Sequence, residues 1–213
     1  MKLFNILSDF IVGPCLRNIE SRDKTIYLTF DDGPNDYCTP KVLDLLNIYN
    51  AKATFFVIGN NINKNKDVLN QIIKNGHSIG NHSLDHKTTI LFKGKKALSK
   101  WIDKGEAIIL KNVGQPSIGY RPPVGIRTIE LRFIMKQKNE KPIMWQHRFY
   151  DTKKIFTKNA WQKKLKKIKS GDIILLHDTH KHTEVFLESL EGLIQRLIKD
   201  GFQLKAIQRP TSS

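Results

Sequence analysis

The sequence predicts an α/β fold in which short parallel strands alternate with helices. Apolar runs rich in β-branched and aromatic residues recur along the chain, and longer segments of helical period separate them. The chain has 213 residues, 39% of them hydrophobic, which is enough for one domain with a sizeable core. The alternation spans about 185 residues, too few for an eight-fold barrel. We therefore expect a smaller closed or nearly closed barrel, with an open doubly wound sheet as the alternative.

Seven segments are predicted strands because they are short, mostly apolar and bounded by turn residues. They cover residues 24–30, 53–59, 77–82, 117–121, 142–147, 172–177 and 202–207. In a barrel and in an open sheet alike, functional residues lie at the carboxyl ends of strands. Residues that can act in catalysis or bind a metal are therefore expected just after these segments.

Helical segments lie between the strands. The first is expected to have Thr39 as its N-cap and Pro40 at its first position, and the next to end at Asn75 and Gly76. Further helices are predicted at roughly 97–113, 127–138, 158–169 and 184–200.

The N-terminus is mildly apolar and precedes the predicted domain. We expect residues 1–23 to form an extension, residues 24–208 the domain and residues 209–213 a loose tail. Residues 2–12 are predicted to be a short helix that packs on the domain or touches a membrane surface. Polar residues interrupt this segment and no A-x-A cleavage site follows, so it is not a convincing signal peptide. No run is long enough to span a membrane.

Cysteine usage fits a reducing compartment. Cys15 and Cys38 lie far apart and show no CxxC spacing, so neither a disulfide framework nor a thiolate metal site is indicated. We expect a cytoplasmic protein and leave association with the inner membrane open.

The chain is strongly basic, with a formal net charge of +16. Such a charge favours polyanions such as nucleic acid, an anionic membrane or an acidic glycan, although compositional bias explains it equally well. The lysine-rich segment 159–169 carries Trp161, Leu165 and Ile168 at helical spacing, so its lysines are expected to form a solvated face. No groove of interleaved aromatic residues for nucleic acid is visible. The sequence does not predict an oligomeric state.

Two adjacent carboxylates, Asp31 and Asp32, close the first predicted strand, and Gly33 and Pro34 turn the chain after them. Adjacent residues on a strand point in opposite directions. One carboxylate can therefore bind a cation while the other accepts a proton. An ordinary turn with capping aspartates is the alternative.

Two histidines follow the third strand at HxxxH spacing. In a helical turn His82 and His86 would share one face and reach one ion. Taken alone, they are as easily paired surface histidines. With Asp32 they make a three-ligand site that leaves positions open for water and substrate, as catalytic rather than structural zinc sites do.

Three more residues lie at or after the carboxyl ends of predicted strands. His177 ends a fully apolar run and is a candidate general acid or base, or else a histidine at the edge of the core. Arg121 can pair with a carboxylate and keep it ionised, or can be a surface arginine before a rigid turn. Asp151 is placed to orient a histidine.

The remaining histidines carry weaker expectations. His147 is predicted to be structural or to face a loop, and no role is predicted for His77. His180 and His182 lie in a flexible-looking loop, and a second metal site there is the less favoured interpretation.

The order TFDDGP, HSLDH, RPPVG, a Trp-to-Asp segment and LLHD resembles the polysaccharide deacetylase family, the NodB homology domain of carbohydrate esterase family four. The resemblance extends from residue 25 to about residue 180. It implies a distorted (β/α)7 TIM-like barrel in one domain. It also implies that Asp31 is the catalytic base, and that Asp32, His82 and His86 bind a divalent metal. In the family this metal is usually zinc, with cobalt, manganese or nickel sometimes substituting.

The resemblance assigns further roles. Arg121 would hold Asp31, His177 would be the general acid, and Asp151 would tune that histidine. A backbone N–H between Pro34 and Tyr37 would help to stabilise an oxyanion, and Leu175 would line a pocket for the acetyl methyl group. The substrate pocket as a whole would comprise Pro34, Tyr37, Pro122, Val124, Trp145 and Leu175.

The chain departs from the family pattern mainly in the fourth motif. Arg148 stands where the family often has an acid, and Thr152 where it has a tryptophan. Val124 stands where an aromatic residue is common. These changes remove aromatic surface near the groove, so they leave the substrate preference open.

The implied activity is metal-dependent removal of the N-acetyl group from an amino sugar in an oligosaccharide, a polysaccharide or a lipid-linked glycan. The implied partner is thus an acetylated carbohydrate, and contact with an anionic membrane is left open. One alternative is an O-acetyl esterase of the xylan type. Another is an inactive basic barrel that binds a glycan or an anionic surface. A non-haem iron oxygenase also uses two histidines and a carboxylate, but it would not explain Asp31 together with His177.

Overall fold

Parallel strands alternate with helices in the computed structural model, which describes residues 9–152 and 158–209. The strands are β1 (Thr25–Asp31), β2 (Ala53–Val57), β3 (Ser78–Asn81), β4 (His147–Arg148), β5 (Ile173–His177) and β6 (Gln203–Leu204). The helices are α1 (Cys38–Ile48), α2 (Gly59–Lys64), α3 (Lys66–Lys74), α4 (Lys95–Val113), α5 (Ile129–Gln137), α6 (Lys158–Leu165) and α7 (Thr183–Lys199). Short 3-10 turns cover Thr88–Phe92 and Pro123–Gly125.

The sheet is parallel and has β1 at its centre, in the order β3-β2-β1-β5-β4. β6 pairs with the first residues of β1, where Thr25 is opposite Gln203. β2 pairs with the later residues of β1, from Leu28 onward. The last pair between β1 and β5 sets Asp31 beside His177, so these two side chains leave the sheet at the same edge.

Two irregular segments close the sheet into a ring. Residues 118–121 lie along β3, where Ile118 N–H donates to Ile79 O at 2.9 Å and Arg121 N–H donates to Asn81 O at 2.9 Å. The next link is Ile143 N–H, which donates to Tyr120 O at 2.8 Å, and residue 143 leads on into β4. The result is the distorted (β/α)7 barrel that the sequence predicts, and the open doubly wound sheet is wrong.

The predicted strands 117–121 and 142–147 are shorter than expected. In the first segment only Tyr120 makes a β-bridge, and Gly119 has a φ of 142°, which interrupts the regular strand. In the second, Pro142 has no N–H to donate, and regular pairing begins only at His147.

Side chains of β1 alternate between two apolar layers. Ile26, Leu28 and Phe30 belong to the large cluster between the sheet and the helices. Tyr27 instead packs inside the barrel, in the cluster that contains Phe56. Every second residue of a strand points to the same face of the sheet, so Thr29 and Asp31 lie on the inner face with Tyr27.

The helices match the prediction with small changes at their ends. α1 begins at Cys38 rather than after a Thr39 cap, because Asn35 Oδ1 accepts the N–H of Cys38 at 2.6 Å. The segment before Asn75 forms two helices, α2 and α3, and it ends at Asn75 as predicted. In α6, Trp161 is 2% exposed and belongs to the core. This apolar side chain of the lysine-rich segment therefore faces inward, as the sequence predicts.

The described part of the N-terminal extension packs on the domain. Residues 9–12 are helical, and Asp9 forms ion pairs of 2.8 Å with both Arg17 and Arg127. Arg132 Nη1 donates to Phe10 O at 3.0 Å, which joins the extension to α5. Residues 1–8, which include most of the predicted N-terminal helix, and residues 210–213 of the predicted tail lie outside the described residues.

Two further expectations concern the cysteines and membrane-spanning segments. Cys15 and Cys38 are both free. Across residues 9–152 and 158–209, none of the helices combines the length and the apolar character needed to cross a membrane.

Candidate active site

A buried ion pair joins β1 to the segment 118–121 that lies along β3. Asp31, the last residue of β1, is 3% exposed, and its Oδ1 accepts a hydrogen bond of 2.7 Å from Arg121 Nη1. The same nitrogen donates to Thr29 Oγ1 at 2.8 Å. Arg121 is fully buried, so the interpretation as a surface arginine is wrong. The guanidinium lies 3.9 Å from the centre of the Phe56 ring, which fixes its plane.

The remaining donors of Arg121 bind the main chain. Its Nε donates to Ile143 O at 3.0 Å and its Nη2 to Met144 O at 3.1 Å. Both carbonyls belong to the segment that closes the barrel. Arg121 therefore orients Asp31 and at the same time ties the closing segment to the site.

The sequence predicts that strand alternation points the two adjacent aspartates in opposite directions, and the structure shows that it does not. β1 ends at Asp31, and Asp32 has a φ of 79°, a left-handed conformation that aspartate tolerates better than most residues. Both carboxylates approach the same imidazole nitrogen, His82 Nε2, at 3.7 Å from Asp31 and 3.5 Å from Asp32. The turn at Asp32 thus brings both acids to one site.

Gly33 is required by a close approach. A Cβ at this position would lie 2.3 Å from Asp178 Oδ2, so a larger residue would displace that carboxylate. The glycine of the DDGP stretch therefore lets the turn pack directly on the residue after His177.

His82 and His86 lie in a loop and not in a helical turn, which corrects the sequence-based expectation. Ser83 and His86 have φ values of 78° and 59°, and this irregular path replaces the helix. The two rings nevertheless lie side by side, with centres 5.2 Å apart. His86 Nε2 lies 3.4 Å from Asp32 Oδ1. His82 Nδ1 donates to Arg121 O at 2.9 Å, so its Nε2 lone pair faces the carboxylates.

The donor set of Asp32, His82 and His86 fits a divalent cation. Their ligand atoms lie within 4.8 Å of one another, and this is the only such group of three or more among the described residues. Asp32 Oδ1 is buried and has no hydrogen-bond partner there, which is costly for a carboxylate oxygen unless a cation meets it. Burial lowers the pKa of His82 despite the nearby carboxylates, which favours the neutral imidazole that binds metals.

A second carboxylate and histidine lie beside this group. His177 ends β5, and its Nδ1 lies 3.1 Å from Asp151 Oδ1. The His177 backbone N–H also donates to Asp151 Oδ2 at 2.7 Å. Since Nδ1 is engaged, Nε2 is the nitrogen available for proton transfer.

The electrostatics of this pair favour a charged histidine. Burial works against the protonated form of His177, but its hydrogen bond to Asp151 and the charges of Asp151, Asp31 and Asp32 outweigh it and raise the pKa of His177. Burial likewise works against the Asp151 carboxylate, yet hydrogen bonds from His177 and His180 lower the pKa of Asp151 to about 2. Asp151 is therefore ionised at neutral pH.

Sequence reasoning missed two residues of this region. Asp178 is fully buried, its Oδ2 accepts from Thr39 Oγ1 at 2.6 Å, and burial raises the pKa of its carboxyl to about 7. His180 is held against Asp151 and does not lie in a loose loop. Their closeness to His177 in the sequence is the signal that could have identified them. His180 and His182 form no group of metal ligands within the described residues.

Two other histidines are structural. His147 Nε2 lies 2.8 Å from Asp172 Oδ2, at the amino end of β5 and away from His177. His77 Nδ1 accepts the N–H of Ala53 at 3.1 Å, and burial lowers the pKa of His77 to about 4.

The residues that the resemblance assigns to the substrate pocket differ in exposure. Leu175 is 2% exposed and lies two residues before His177 on the same face of β5. Tyr37 and Val124 are more than half exposed. Trp145 is half-buried, with its ring centre 5.7 Å from the Arg121 guanidinium. Pro34 and Pro122 are buried.

The loop expected to stabilise an oxyanion has few free donors. Pro34 has no N–H, and the N–H groups of Asn35 and Tyr37 are engaged by Thr39 Oγ1 at 3.0 Å and by Asn35 Oδ1 at 2.9 Å. Of the four residues in that stretch, only Asp36 has a backbone N–H that makes no hydrogen bond within the described residues.

The departure at Arg148 places a positive charge at the ring of Tyr150. The Arg148 guanidinium lies 5.1 Å from the Tyr150 ring centre, and Lys164 Nζ lies 4.6 Å from the same ring. Burial and the charge of Arg148 lower the pKa of Lys164. Two cations thus share the aromatic ring of Tyr150, the residue that precedes Asp151 in the sequence.

The chain is similar to known proteins over most of its length. A family model described as polysaccharide deacetylase matches residues 18–142. A peptidoglycan-N-acetylglucosamine deacetylase of Bacillus cereus is 32% identical over 191 residues, which is 89% of each chain. The peptidoglycan-N-acetylmuramic acid deacetylase PdaC of Bacillus subtilis is 32% identical over 196 residues, but this chain spans only 40% of its length. The crystal structure of the Bc1960 peptidoglycan N-acetylglucosamine deacetylase aligns with a TM-score of 0.80 at 29% identity, over 91% of this chain and 90% of that one.

Proposed function

The chain belongs to the polysaccharide deacetylase family, and we propose that it releases acetate from an N-acetylated amino sugar of a peptidoglycan-type glycan. The observation that carries this proposal is the convergence of two buried carboxylate pairs on one edge of the sheet. Asp31 and His177 lie on the paired ends of β1 and β5, where Arg121 binds Asp31 and Asp151 binds His177, and Asp32, His82 and His86 follow the same edge.

Hydrolysis of an amide needs a base for the attacking water and an acid for the departing nitrogen. A divalent cation held by Asp32, His82 and His86, with zinc as the first choice, would supply a Lewis acid and lower the pKa of water. Asp31 accepts the proton of the water, since Arg121 binds only its Oδ1 and leaves Oδ2 facing the site. His177 donates a proton from Nε2 to the nitrogen, and Asp151 holds its other nitrogen. The raised pKa of His177 favours the protonated imidazole that this role requires.

The glycan is proposed from the relatives. The relatives named above act, by their names, on N-acetylglucosamine or N-acetylmuramic acid of peptidoglycan. The enclosed Leu175 below His177 supports a small apolar recess for the acetyl methyl group. We also propose that residues 24–208 form the catalytic domain and that residues 1–23 are an extension of it.

Acetate release by zinc-loaded protein tests this function. The substrates are N-acetylated chitooligosaccharides, peptidoglycan fragments, a lipid-linked N-acetylamino sugar and acetylated xylan. We expect acetate from an amide-linked substrate, its loss in Asp31→Asn and its retention in the surface control Asp44→Asn. Acetate from xylan alone would instead identify an esterase. No acetate from any substrate, with zinc bound, would indicate an inactive binding barrel.

A further inference from the structure

A second histidine contacts the carboxylate that holds His177. His180 Nε2 lies 3.1 Å from Asp151 Oδ2 and 2.8 Å from the backbone oxygen of His177. We propose that His180 is a positioning residue, which fixes Asp151 so that Asp151 in turn fixes the imidazole of His177. The kinetic part of this inference rests on the proposed function.

The direction of the hydrogen bond follows from the neighbours of His180 Nε2. A carboxylate oxygen and a carbonyl oxygen both accept hydrogen bonds, so this nitrogen must carry the proton and donate. The contact therefore does not depend on which protonation state His180 adopts, because Nε2 carries a proton in both. His180 is thus a donor to Asp151 and to the main chain of the residue that Asp151 orients.

Asp151 depends on a small number of donors. Its side chain is fully buried, and its Oδ2 accepts the His177 backbone N–H at 2.7 Å and His180 Nε2 at 3.1 Å. Its Oδ1 faces His177 Nδ1 at 3.1 Å. A buried carboxylate that loses a donor either moves to a new partner or is destabilised. Removal of the His180 donor is therefore expected to loosen the hold of Asp151 on His177.

His180 is itself held rigidly, which a positioning residue needs. Its side chain is 6% exposed, and its ring stacks on Phe186 with centres 3.8 Å apart. Its backbone oxygen accepts from Thr183 Oγ1 at 2.9 Å, at the start of α7. The ring therefore has one orientation, and in it Nε2 points at Asp151.

The first experiment compares His180→Phe, His180→Gln and His182→Phe in the zinc-loaded protein. Phenylalanine keeps the ring on Phe186 but removes the donor, glutamine offers an amide donor in its place, and His182 is an exposed histidine in the same loop. We expect His180→Phe to lower kcat by roughly 10- to 100-fold, the range for losing a hydrogen bond to a charged group. His180→Gln should restore most of this loss, and His182→Phe should behave as wild type.

The pH profile gives a readout that a merely structural role would not move. The charged groups that act on His177 are Asp151, Asp31 and Asp32, and Asp151 has the largest favourable effect. A looser Asp151 stabilises the protonated imidazole less, so the basic limb of kcat should move to lower pH in His180→Phe. In an Asp151→Asn background, His180→Phe should have almost no further effect, because the two residues act in series.

A second measurement does not depend on activity. In metal-free protein, the Nδ1–H proton of His177 should be visible by NMR in the wild type and in His180→Gln, and should exchange rapidly with water in His180→Phe. If this change occurs while no glycan is deacetylated, the positioning role stands and the proposed function fails. A wild-type pH profile and a protected Nδ1–H in a folded His180→Phe would overturn the positioning role. Equal losses in His180→Phe with and without Asp151 would also overturn it.

Discussion

Arg121 Nη1 and Asp31 Oδ1 lie 2.7 Å apart in an ion pair that is closed to solvent on both sides. The four acceptors around the guanidinium come from two different segments of the barrel: Thr29 and Asp31 on β1, and the carbonyls of Ile143 and Met144 on the closing segment. The pair is therefore both a part of the candidate site and a part of the closure of the fold. Changes at Arg121 should affect stability and activity together.

The first prediction concerns Arg121→Met. This change leaves Asp31 buried without its cation, so the free energy of unfolding should fall by roughly 3–5 kcal/mol. Acetate release should be lost because Asp31 is no longer oriented. Urea denaturation monitored by circular dichroism measures the first effect, and the acetate assay the second.

Two controls separate these effects. Thr29→Val removes one acceptor of Arg121 and should lower the free energy of unfolding by only about 1 kcal/mol. The double variant Arg121→Met with Asp31→Asn should recover part of the stability but none of the activity. A stable, active Arg121→Met protein would contradict the role given to the pair.

The second prediction separates the two adjacent aspartates by metal affinity. Asp32→Asn should weaken zinc binding by more than about 100-fold, since loss of a residue that merely supports a ligand commonly lowers affinity about 10- to 100-fold. Asp31→Asn should retain zinc, because Asp31 is engaged by Arg121. Competition with a chelator on metal-free protein measures both values. Equal zinc affinity in the two variants would refute the division of roles.

The third prediction concerns the pH dependence of stability at Asp178. Its pKa is about 7 in the folded protein and close to 3.9 in an unfolded chain. Between these values the native state holds a proton that the unfolded state has released, so stability falls as pH rises from about 4 to 7. The decline attributable to Asp178 is up to roughly 4 kcal/mol.

Asp178→Asn should remove that decline. Urea denaturation of metal-free protein at a series of pH values measures it, with Asp44→Asn as the surface control. If the curves of Asp178→Asn and of the wild type run parallel across this range, Asp178 does not titrate there.

The fourth prediction concerns His147, whose partner Asp172 lies at the amino end of β5. His147→Phe removes the 2.8 Å contact to Asp172, so the free energy of unfolding should fall by roughly 1–3 kcal/mol. The kcat should not change, because the pair lies at the opposite end of the strand from His177. Thermal unfolding and the acetate assay test the two statements, and a loss of kcat in a stable His147→Phe protein would show that the two ends communicate.

The parts of the fold that the sequence predicts well are those that local pattern controls. β1 and β5 are short, mostly apolar runs, and both form strands close to the predicted bounds. The segments around Gly119 and Pro142 have similar local patterns but fail as strands. Their backbone geometry and missing donors matter only once a neighbouring strand is present.

The candidate site shows the same division. The rule that function lies at the carboxyl ends of strands predicts that Asp32, His82 and His86 form one site, and the structure groups them. The local conformations were not predictable, since the left-handed turn at Asp32 is imposed by its surroundings and not by spacing. The role of His180 was also missed, because burial of a polar side chain depends on contacts across the chain, and only its closeness to His177 in the sequence pointed to it.

The central position of β1 also has a consequence for the order in which the protein folds. β1 pairs on one side with β5, and Asp31 and His177 are 146 residues apart in the sequence. Such non-local pairing folds slowly, because a long loop must close before the contact forms. By His86 the ribosome has already made β1, β2 and β3. It adds the next 91 residues, up to His177 at the end of β5, in roughly 5 to 18 s. Throughout that interval the nascent chain carries β1 with one edge open, at the stage when strand pairing between neighbouring chains is the main hazard.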